Sequence, residues 1–291
     1  MRIAIYSRGL DGNKHNDIKI LLDELALHKI EPVIFQDFFN QFYCTVNIPE
    51  KYSTFNSSED LEDIDYIISL GGDGTLLDTV TFVQDKGIPV VGVNYGRLGF
   101  LASIGKDELH TAVKALVDRT YMIDKRSLIH LDANVPLFGK VPYALNELTI
   151  HKKDTSPMIK IHTYLNGEFL NTFWADGLIV STPTGSTGYS LSCNGPVVFP
   201  DSKSFIITPV SPHNLNIRPI VVPDDNIISF EVEGRTDGYL CTLDSRREIL
   251  SKEVQLAVKK ETFSINLIRL NENNFLQTLR NKLSWGLDKR N

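Results

Sequence analysis

Apolar residues along this chain follow two periods, and the change from one to the other divides it. Through Asp124, short apolar runs alternate with stretches of helical spacing. Ile3 to Tyr6 reads as a strand, and Ile18, Leu21, Leu22 and Leu25 then recur at i, i+3, i+4 and i+7, one face of an amphipathic helix. Pro32 to Phe35, Tyr66 to Leu70 and Ile88 to Val93 read as further strands, and Leu109, Ala112, Val113 and Leu116 mark another helix. Phe38, Phe39, Phe42 and Tyr43 fit one helical turn or two, and Ser57 to Asp63 is an acidic surface stretch. Strands alternating with helices predict an open, mainly parallel α/β sheet with right-handed crossovers.

From about Lys125 the period becomes two. Ile159, Ile161, Thr163 and Leu165 alternate with Lys160, His162 and Tyr164, and Asn166-Gly167 precedes Phe169 to Phe173. Alternation around Asn-Gly predicts a hairpin. Ile228, Phe230 and Val232 alternate again, and Gly234 to Gly238 predicts a turn with a return strand through Tyr239 to Leu243. This half reads as antiparallel β. Phe263 to Leu270 is strand-like, then Phe275, Leu276, Leu279 and Leu283 share a helical face, which predicts a tail returning to the first domain. The expected domains are residues 1–124 with 251–291, Rossmann-like α/β, and residues 125–250, β-rich. No linker, internal repeat or low-complexity tract separates them.

The chemistry begins between the Tyr66–Leu70 strand and an apolar helical stretch, at Gly71-Gly72-Asp73-Gly74-Thr75. A glycine-rich strand-to-helix turn exposes N–H groups at the positive end of a helix dipole, where phosphate binds. Asp73, in its middle, repels phosphate unless a metal cation offsets it or it acts as a base, which points to phosphoryl transfer. A tight turn in which Gly-Asp-Gly only supplies positive φ fits these five residues equally well. Thr75-x-x-Asp78 reads as a capping box. Asn94 to Leu101 forms a second glycine-bearing loop, and both loops lie at the carboxyl ends of strands, where such sheets bind ligands.

Three further places carry polar groups in apolar surroundings. Asn146-Glu147 interrupts Tyr143-Ala-Leu and Leu148-Thr-Ile; such a pair binds an adenine edge and ribose hydroxyls, or lies solvated at an edge or bulge. Asp176 follows Phe173-Trp174-Ala175 at the mouth of the apolar Gly177 to Val180, as a site acid or a turn residue. In Ser181 to Ser192 eight of twelve residues carry hydroxyls, a loop able to cradle a ligand with uncharged donors, flanked by core-like Leu178–Val180 and Pro196–Phe199. No G-x-S-x-G, G-x-x-x-x-G-K-[ST] or G-x-G-x-x-G occurs, so the nucleophile elbow, Walker loop and Rossmann fingerprint are excluded as written.

Composition narrows the class. With 291 residues, 42% hydrophobic and 23% charged, the chain is ordinarily globular. A net charge of −6 argues against nucleic-acid or anionic-membrane partners. Cys44, Cys193 and Cys241 form no C-x-x-C pair, which suits reduced thiols. The first residues enter a strand without a secretory apolar region, and no run of 18 apolar residues follows. The expectation is a cytoplasmic protein.

Taken together, Gly71–Thr75, Asn94–Leu101, Asn146-Glu147 and Asp176–Ser190 closely resemble the NAD kinases of bacterial type, and Ser211 to Pro223 adds to the likeness. The resemblance runs from about Ile3 to Leu270. Gly-Gly-Asp-Gly alone also marks diacylglycerol kinases, sphingosine kinases and phosphofructokinases; its combination with Asn-Glu and Thr-Pro-Thr-Gly-Ser-Thr discriminates. The resemblance implies ATP-dependent phosphorylation of the adenosine ribose 2′-hydroxyl of NAD, with Asp73 taking the proton. It implies ATP phosphates and Mg²⁺ at Gly71, Gly72, Gly74 and Thr75, the metal's own ligands being unassigned. NAD would be bound by Asp73, Gly74, Asn146, Glu147, Asp176, Thr187, Gly188, Tyr189, Ser190, Leu191 and Ser192. The α/β domain would hold nucleotide, the β-rich domain NAD, and the chain would form a homodimer or homotetramer. Trp174 stands where many relatives have a basic residue, Asn194 breaks a Gly-Gly-Pro, and Arg246 occupies what looks like a Gln position. A lipid or sugar kinase of the same superfamily is the second reading, weakened by the lack of a membrane-facing amphipathic stretch. A non-catalytic dinucleotide sensor is the third, and it has no need of an acid inside the phosphate loop.

Overall fold

Two units share the chain: Met1–Lys125 with Ile265–Asn291, and Arg126–Ser264. The computed structural model describes residues 1–9, 15–43, 52–96, 98–153, 157–235, 238–270 and 275–284.

The first unit runs β1 (Arg2–Tyr6), α1 (His15–Leu27), β2 (Glu31–Phe35), α2 (Gln36–Tyr43), β3 (Ser53–Phe55), β4 (Tyr66–Leu70), α3 (Asp73–Val83), β5 (Val90–Asn94), β6 (Ile104–Gly105), α4 (Leu109–Asp118) and β7 (Met122–Arg126). The aromatic stretch read as one helical turn or two is the single helix α2. β1 to β5 pair in parallel, as the alternation of strands and helices predicts. Ile18, Leu21, Leu22 and Leu25 of α1 are buried with Ile3, Ile5, Ile68 and Val91 of the sheet. Around β1 the strand order is β3-β2-β1-β4-β5, so the direction of winding reverses between β1 and β4. The carboxyl ends of those two strands open the crevice where such sheets take ligands.

The second unit holds β8 (Ile129–Ala133), β9 (Tyr143–Ala144), β10 (Glu147–Lys152), β11 (Ile159–Leu165), β12 (Glu168–Ala175), β13 (Gly177–Ser181), α5 (Tyr189–Ser192), β14 (Ser204–Val210), β15 (Ile220–Pro223), β16 (Ile228–Glu233), β17 (Tyr239–Leu243), β18 (Arg246–Leu250) and β19 (Leu256–Lys260). Its two six-stranded sheets, β15-β14-β13-β10-β17-β18 and β12-β11-β16-β19-β8-β9, bury one shared core that includes Leu148, Val180, Phe205, Ile161, Phe173 and Phe230. The Asn166-Gly167 hairpin forms between β11 and β12, both turn residues having positive φ. The turn expected at Gly234–Gly238 does not return its strand to the same sheet. β16 pairs with β11 and β19, and β17 with β10 and β18, so the chain changes sheets there. Alternation reports that one face is buried and is silent on which sheet buries it.

β20 (Ile265–Arg269) then rejoins the first sheet beside β5, followed by α6 (Phe275–Leu283). The tail returns at residue 265 rather than 251, because β19 stays in the second unit as the partner of β8 and β16.

Candidate active site

In the first unit, β4 ends at Leu70 and the backbone turns at Gly71, where φ is +153°. A Cβ at Gly71 would run into the Thr75 side chain. The Gly71 N–H donates to the Val93 carbonyl at 2.9 Å, which ties the turn to β5. Gly72, in extended backbone, caps α3, and the helix starts at Asp73. The capping box expected at Thr75-x-x-Asp78 therefore does not form. Thr75 is buried within the first turn, and Asp78 binds Arg8 and Tyr6 instead.

The Asp73 carboxylate is held by the second glycine loop. It accepts the N–H groups of Phe100 at 2.9 Å on Oδ2, and of Leu101 and Ala102 at 3.0 Å on Oδ1. Gly99 lies so close that a Cβ there would collide with the Asp73 carboxyl. Arg97, in the same loop, lies outside the described residues. Each carboxylate oxygen has two acceptor positions, so Oδ2 keeps one for a further donor.

A cation borders this loop, and the pattern of apolar positions gave no sign of it. Arg8 follows β1 at the crevice and pairs side-on with Asp78, Nη2 lying 2.6 Å from Oδ1 and Nε bonding Oδ2. The Tyr6 hydroxyl donates to the same carboxylate at 3.2 Å. Arg8 Nη1 sits 3.4 Å from where a Cβ on Gly74 would be.

In the second unit, Asn146 and Glu147 stand where the chain leaves β9 and enters β10 in the other sheet. One acceptor of each is unmet: Asn146 Oδ1 and Glu147 Oε2 are buried and have no hydrogen-bond partner among the described residues. Burial, with a smaller contribution from Asp244, pushes the Glu147 carboxyl up to about 8. The hydroxyl-rich loop folds against this pair. A Cβ on Gly185 would strike the Asn146 carbonyl, and one on Gly188 would sit 3.2 Å from Glu147 Oε2. The Tyr189 hydroxyl is raised above its ordinary value by burial first and then by the charges of Cys193, Asp176 and Glu147.

Four of the eight hydroxyls expected to cradle a ligand bind the loop or its neighbours. Thr182 Oγ1 donates to the Leu145 carbonyl at 2.6 Å, Ser186 Oγ to Pro183 at 2.6 Å, and Thr187 Oγ1 to Thr184 at 3.2 Å. Ser190 is buried with its hydroxyl 2.8 Å from Thr208 Oγ1. Asp176 binds Lys152 Nζ at 2.7 Å. Pro196 to Phe199 form no strand, and Phe199 is 50% exposed, so that flank is not core.

The sequence matches the ATP-NAD kinase N-terminal domain over residues 31–121 and the C-terminal domain over residues 145–270. It is 49% identical over 292 residues to an NAD kinase of Cytophaga hutchinsonii, each chain being covered completely. The chain belongs to the NAD kinase family. An NAD kinase of Flavobacterium johnsoniae is 44% identical over 294 residues, again with complete coverage of both chains. Among solved structures, yeast NADH kinase complexed with NADH superposes with a TM-score of 0.89 at 20% identity, covering 99% of this chain and 88% of that one. An NAD kinase from Archaeoglobus fulgidus in complex with ATP superposes with a TM-score of 0.76 at 24% identity, covering 98% and 99%.

The three departures from the NAD kinase pattern have structural accounts. Trp174 stacks on His213, ring centroids 4.2 Å apart. Asn194 has φ of +64°, a left-handed conformation that asparagine tolerates better than most residues. Arg246 bonds the carbonyls of Val141 and Tyr143, so it grips backbone.

Proposed function

We propose that this chain, as an ATP-dependent NAD kinase, transfers the γ-phosphoryl group of ATP to the 2′-hydroxyl of the adenosine ribose of NAD, giving NADP and ADP. The observation that carries this reading is Asp73: a carboxylate inside a glycine loop, oriented by three N–H groups, with one acceptor position open on Oδ2. A hydroxyl donating there passes its proton to Asp73 as its oxygen attacks phosphorus, and ADP leaves. Gly71, Gly72, Gly74 and Thr75 frame the ATP phosphates: the N–H groups of Gly72 and Gly74 and the dipole of α3 hold them, while Gly71, bonded to Val93, and Thr75, bonded to Gly72, keep the turn in shape. Arg8 adds a guanidinium beside Gly74.

Mg²⁺ enters with ATP as part of the substrate. Among the described residues no three His, Cys, Asp or Glu side chains converge on an ion position. Phosphate oxygens with at most a carboxylate are the donors Mg²⁺ usually takes at kinase sites, and it offsets their charge.

Asn146 and Glu147 bind the adenosine of NAD, because buried, unmet acceptors suit an adenine amine and ribose hydroxyls. Asp176 contacts the nicotinamide end. Thr187, Gly188, Tyr189, Ser190, Leu191 and Ser192 line the dinucleotide, Ser190 through its backbone because its hydroxyl is engaged in the core. A homodimer or homotetramer and a cytoplasmic location go with this reading, and light scattering checks the first.

The test is a coupled assay: NAD, ATP and Mg²⁺ with the protein, then a dehydrogenase that requires NADP. Formation of NADP is expected. Phosphorylation of a diacylglycerol or a sugar instead would replace the reading with another kinase of the superfamily, and NAD binding without ADP release would replace it with a sensor.

A further inference from the structure

β9 ends at Ala144 in one sheet and β10 begins at Glu147 in the other, so the N–H groups of Leu145 and Asn146 have no ladder to join. Buried backbone groups must find partners, and here one side chain supplies them. Asp244, at the tip of the β17–β18 hairpin and in left-handed backbone at φ +52°, accepts the N–H of Leu145 at 2.8 Å, Asn146 at 2.8 Å and Glu147 at 3.1 Å. Its own N–H donates to the Glu147 carbonyl at 3.0 Å. Two residues on, Arg246 takes the carbonyls of Val141 and Tyr143. One hairpin tip thus grips the whole approach to the Asn146–Glu147 pair from both polarities.

We propose that Asp244 is a positioning residue for the NAD site: it fixes the backbone that presents Asn146 and Glu147, and as a buried charge beside Glu147 it sets the pH range over which NAD is bound. The proposal rests on the reading of Asn146 and Glu147 as the adenosine-binding pair. After burial, Asp244, itself met by Arg246, is the charge that raises Glu147, and Glu147 and Asp176 in turn raise Tyr189. Burial raises both carboxyls, but Asp244 is met by three N–H groups and Arg246, whereas Glu147 Oε2 is met by no group among the described residues. The proton therefore resides on Glu147. Ribose hydroxyls donating to the Glu147 carboxylate favour its ionised form, so NAD binding near neutral pH releases a proton.

The experiment is titration calorimetry of NAD into wild type and Asp244→Asn in two buffers of different ionisation enthalpy, with steady-state kinetics for both substrates. Wild type is expected to release a proton at pH 7 and to bind NAD more tightly as pH rises toward 8.5. Asp244→Asn is expected to release less, to move the rise of NAD affinity to lower pH, to weaken NAD binding by about tenfold at pH 8.5, where Glu147 is ionised in both proteins and only the lost grip on its backbone counts, and to leave the KM for ATP within twofold. Should Asp244→Asn fail to fold, Asp244→Ser keeps an acceptor for the N–H groups, removes the charge, and carries the same expectations. A purely structural Asp244 would lower Tm and leave proton release unchanged, which overturns the role. NAD turnover by wild type separates the two claims: its loss overturns the functional reading, and its presence with unaltered NAD affinity in the variants overturns only the part given to Asp244.

Discussion

The glycine loop of the first unit and the Asn146–Glu147 corner of the second treat polar groups in opposite ways. Asp73 is satisfied before any ligand arrives, its carboxylate fixed by Phe100, Leu101 and Ala102. Asn146 Oδ1 and Glu147 Oε2 are buried and have no partner among the described residues. The first arrangement costs nothing to reorganise at the moment of reaction, which is what a group in chemistry needs. The second keeps desolvated acceptors that only a ligand satisfies, which is what recognition needs, and it lowers the stability of the empty protein. Preorganised chemistry and unmet recognition are thus written in the same kind of side chain, told apart by what the backbone offers it.

The contrast is broken most severely at Asp73. Asparagine is nearly isosteric and takes no proton, so Asp73→Asn is expected to lower kcat by roughly 10²–10⁴ while the KM for NAD stays close to wild type, and Tm falls slightly because one N–H contact of the carboxylate is lost. If Asp73 serves only as a metal ligand, the KM for ATP–Mg²⁺ rises instead and excess Mg²⁺ restores the rate.

Gly99→Ala tests the orientation rather than the carboxylate. Its methyl has to displace the Asp73 carboxyl, and misplacing a reacting group by about 1 Å costs on the order of 10² in rate. A kcat within twofold of wild type would show that the three N–H contacts do not matter to turnover.

Glu147→Gln acts on the other side of the comparison, and twice. Losing a charged hydrogen bond raises the KM for NAD by the equivalent of roughly 1.5–3 kcal/mol and leaves the KM for ATP unchanged. It also alters stability with pH. Burial raises Glu147 from its ordinary value of 4.5 to about 8, so the folded protein holds the extra proton. Stability associated with Glu147 is intact below its unfolded value and falls as pH rises through the interval. Glu147→Gln is therefore expected to stabilise the protein more at pH 8.5 than at pH 5, by roughly 1–3 kcal/mol, read from denaturant melts at both. A pH-independent difference would mean Glu147 is ionised throughout.

Arg8→Ala gives the smallest effect. The side chain is 51% exposed, so its removal is expected to raise the KM for ATP by about five- to tenfold, less at high salt, without altering the KM for NAD.

The sequence made one half of this comparison more legible than the other. Gly71–Thr75 could be placed at a strand-to-helix turn because glycines and apolar runs are local signals. That Asp73 would be held by residues 100–102 could not, since it depends on β5 and the loop after it closing on α3. Asn146-Glu147 was visible as a polar interruption, but the reason for it, a change of sheet between β9 and β10, is a matter of topology that alternation does not encode. The hydroxyls of Ser181–Ser192 were legible only in part for a related reason: composition shows donors, and it is the fold that turns Thr182, Ser186, Thr187 and Ser190 upon the loop and its neighbours. Asp244 gave no signal, because a lone acid in a hairpin reads as a turn residue. Cys193 and Cys241 are free thiols, as their spacing suggested, and Cys44 lies outside the described residues.

The most direct measurement is calorimetric titration of NAD into Asp73→Asn and into Glu147→Gln, side by side with wild type. If chemistry and recognition are divided as described, Asp73→Asn binds NAD within about twofold of wild type, and Glu147→Gln binds it at least about tenfold more weakly. Equal loss of NAD affinity in the two variants, or none in Glu147→Gln, would contradict the division.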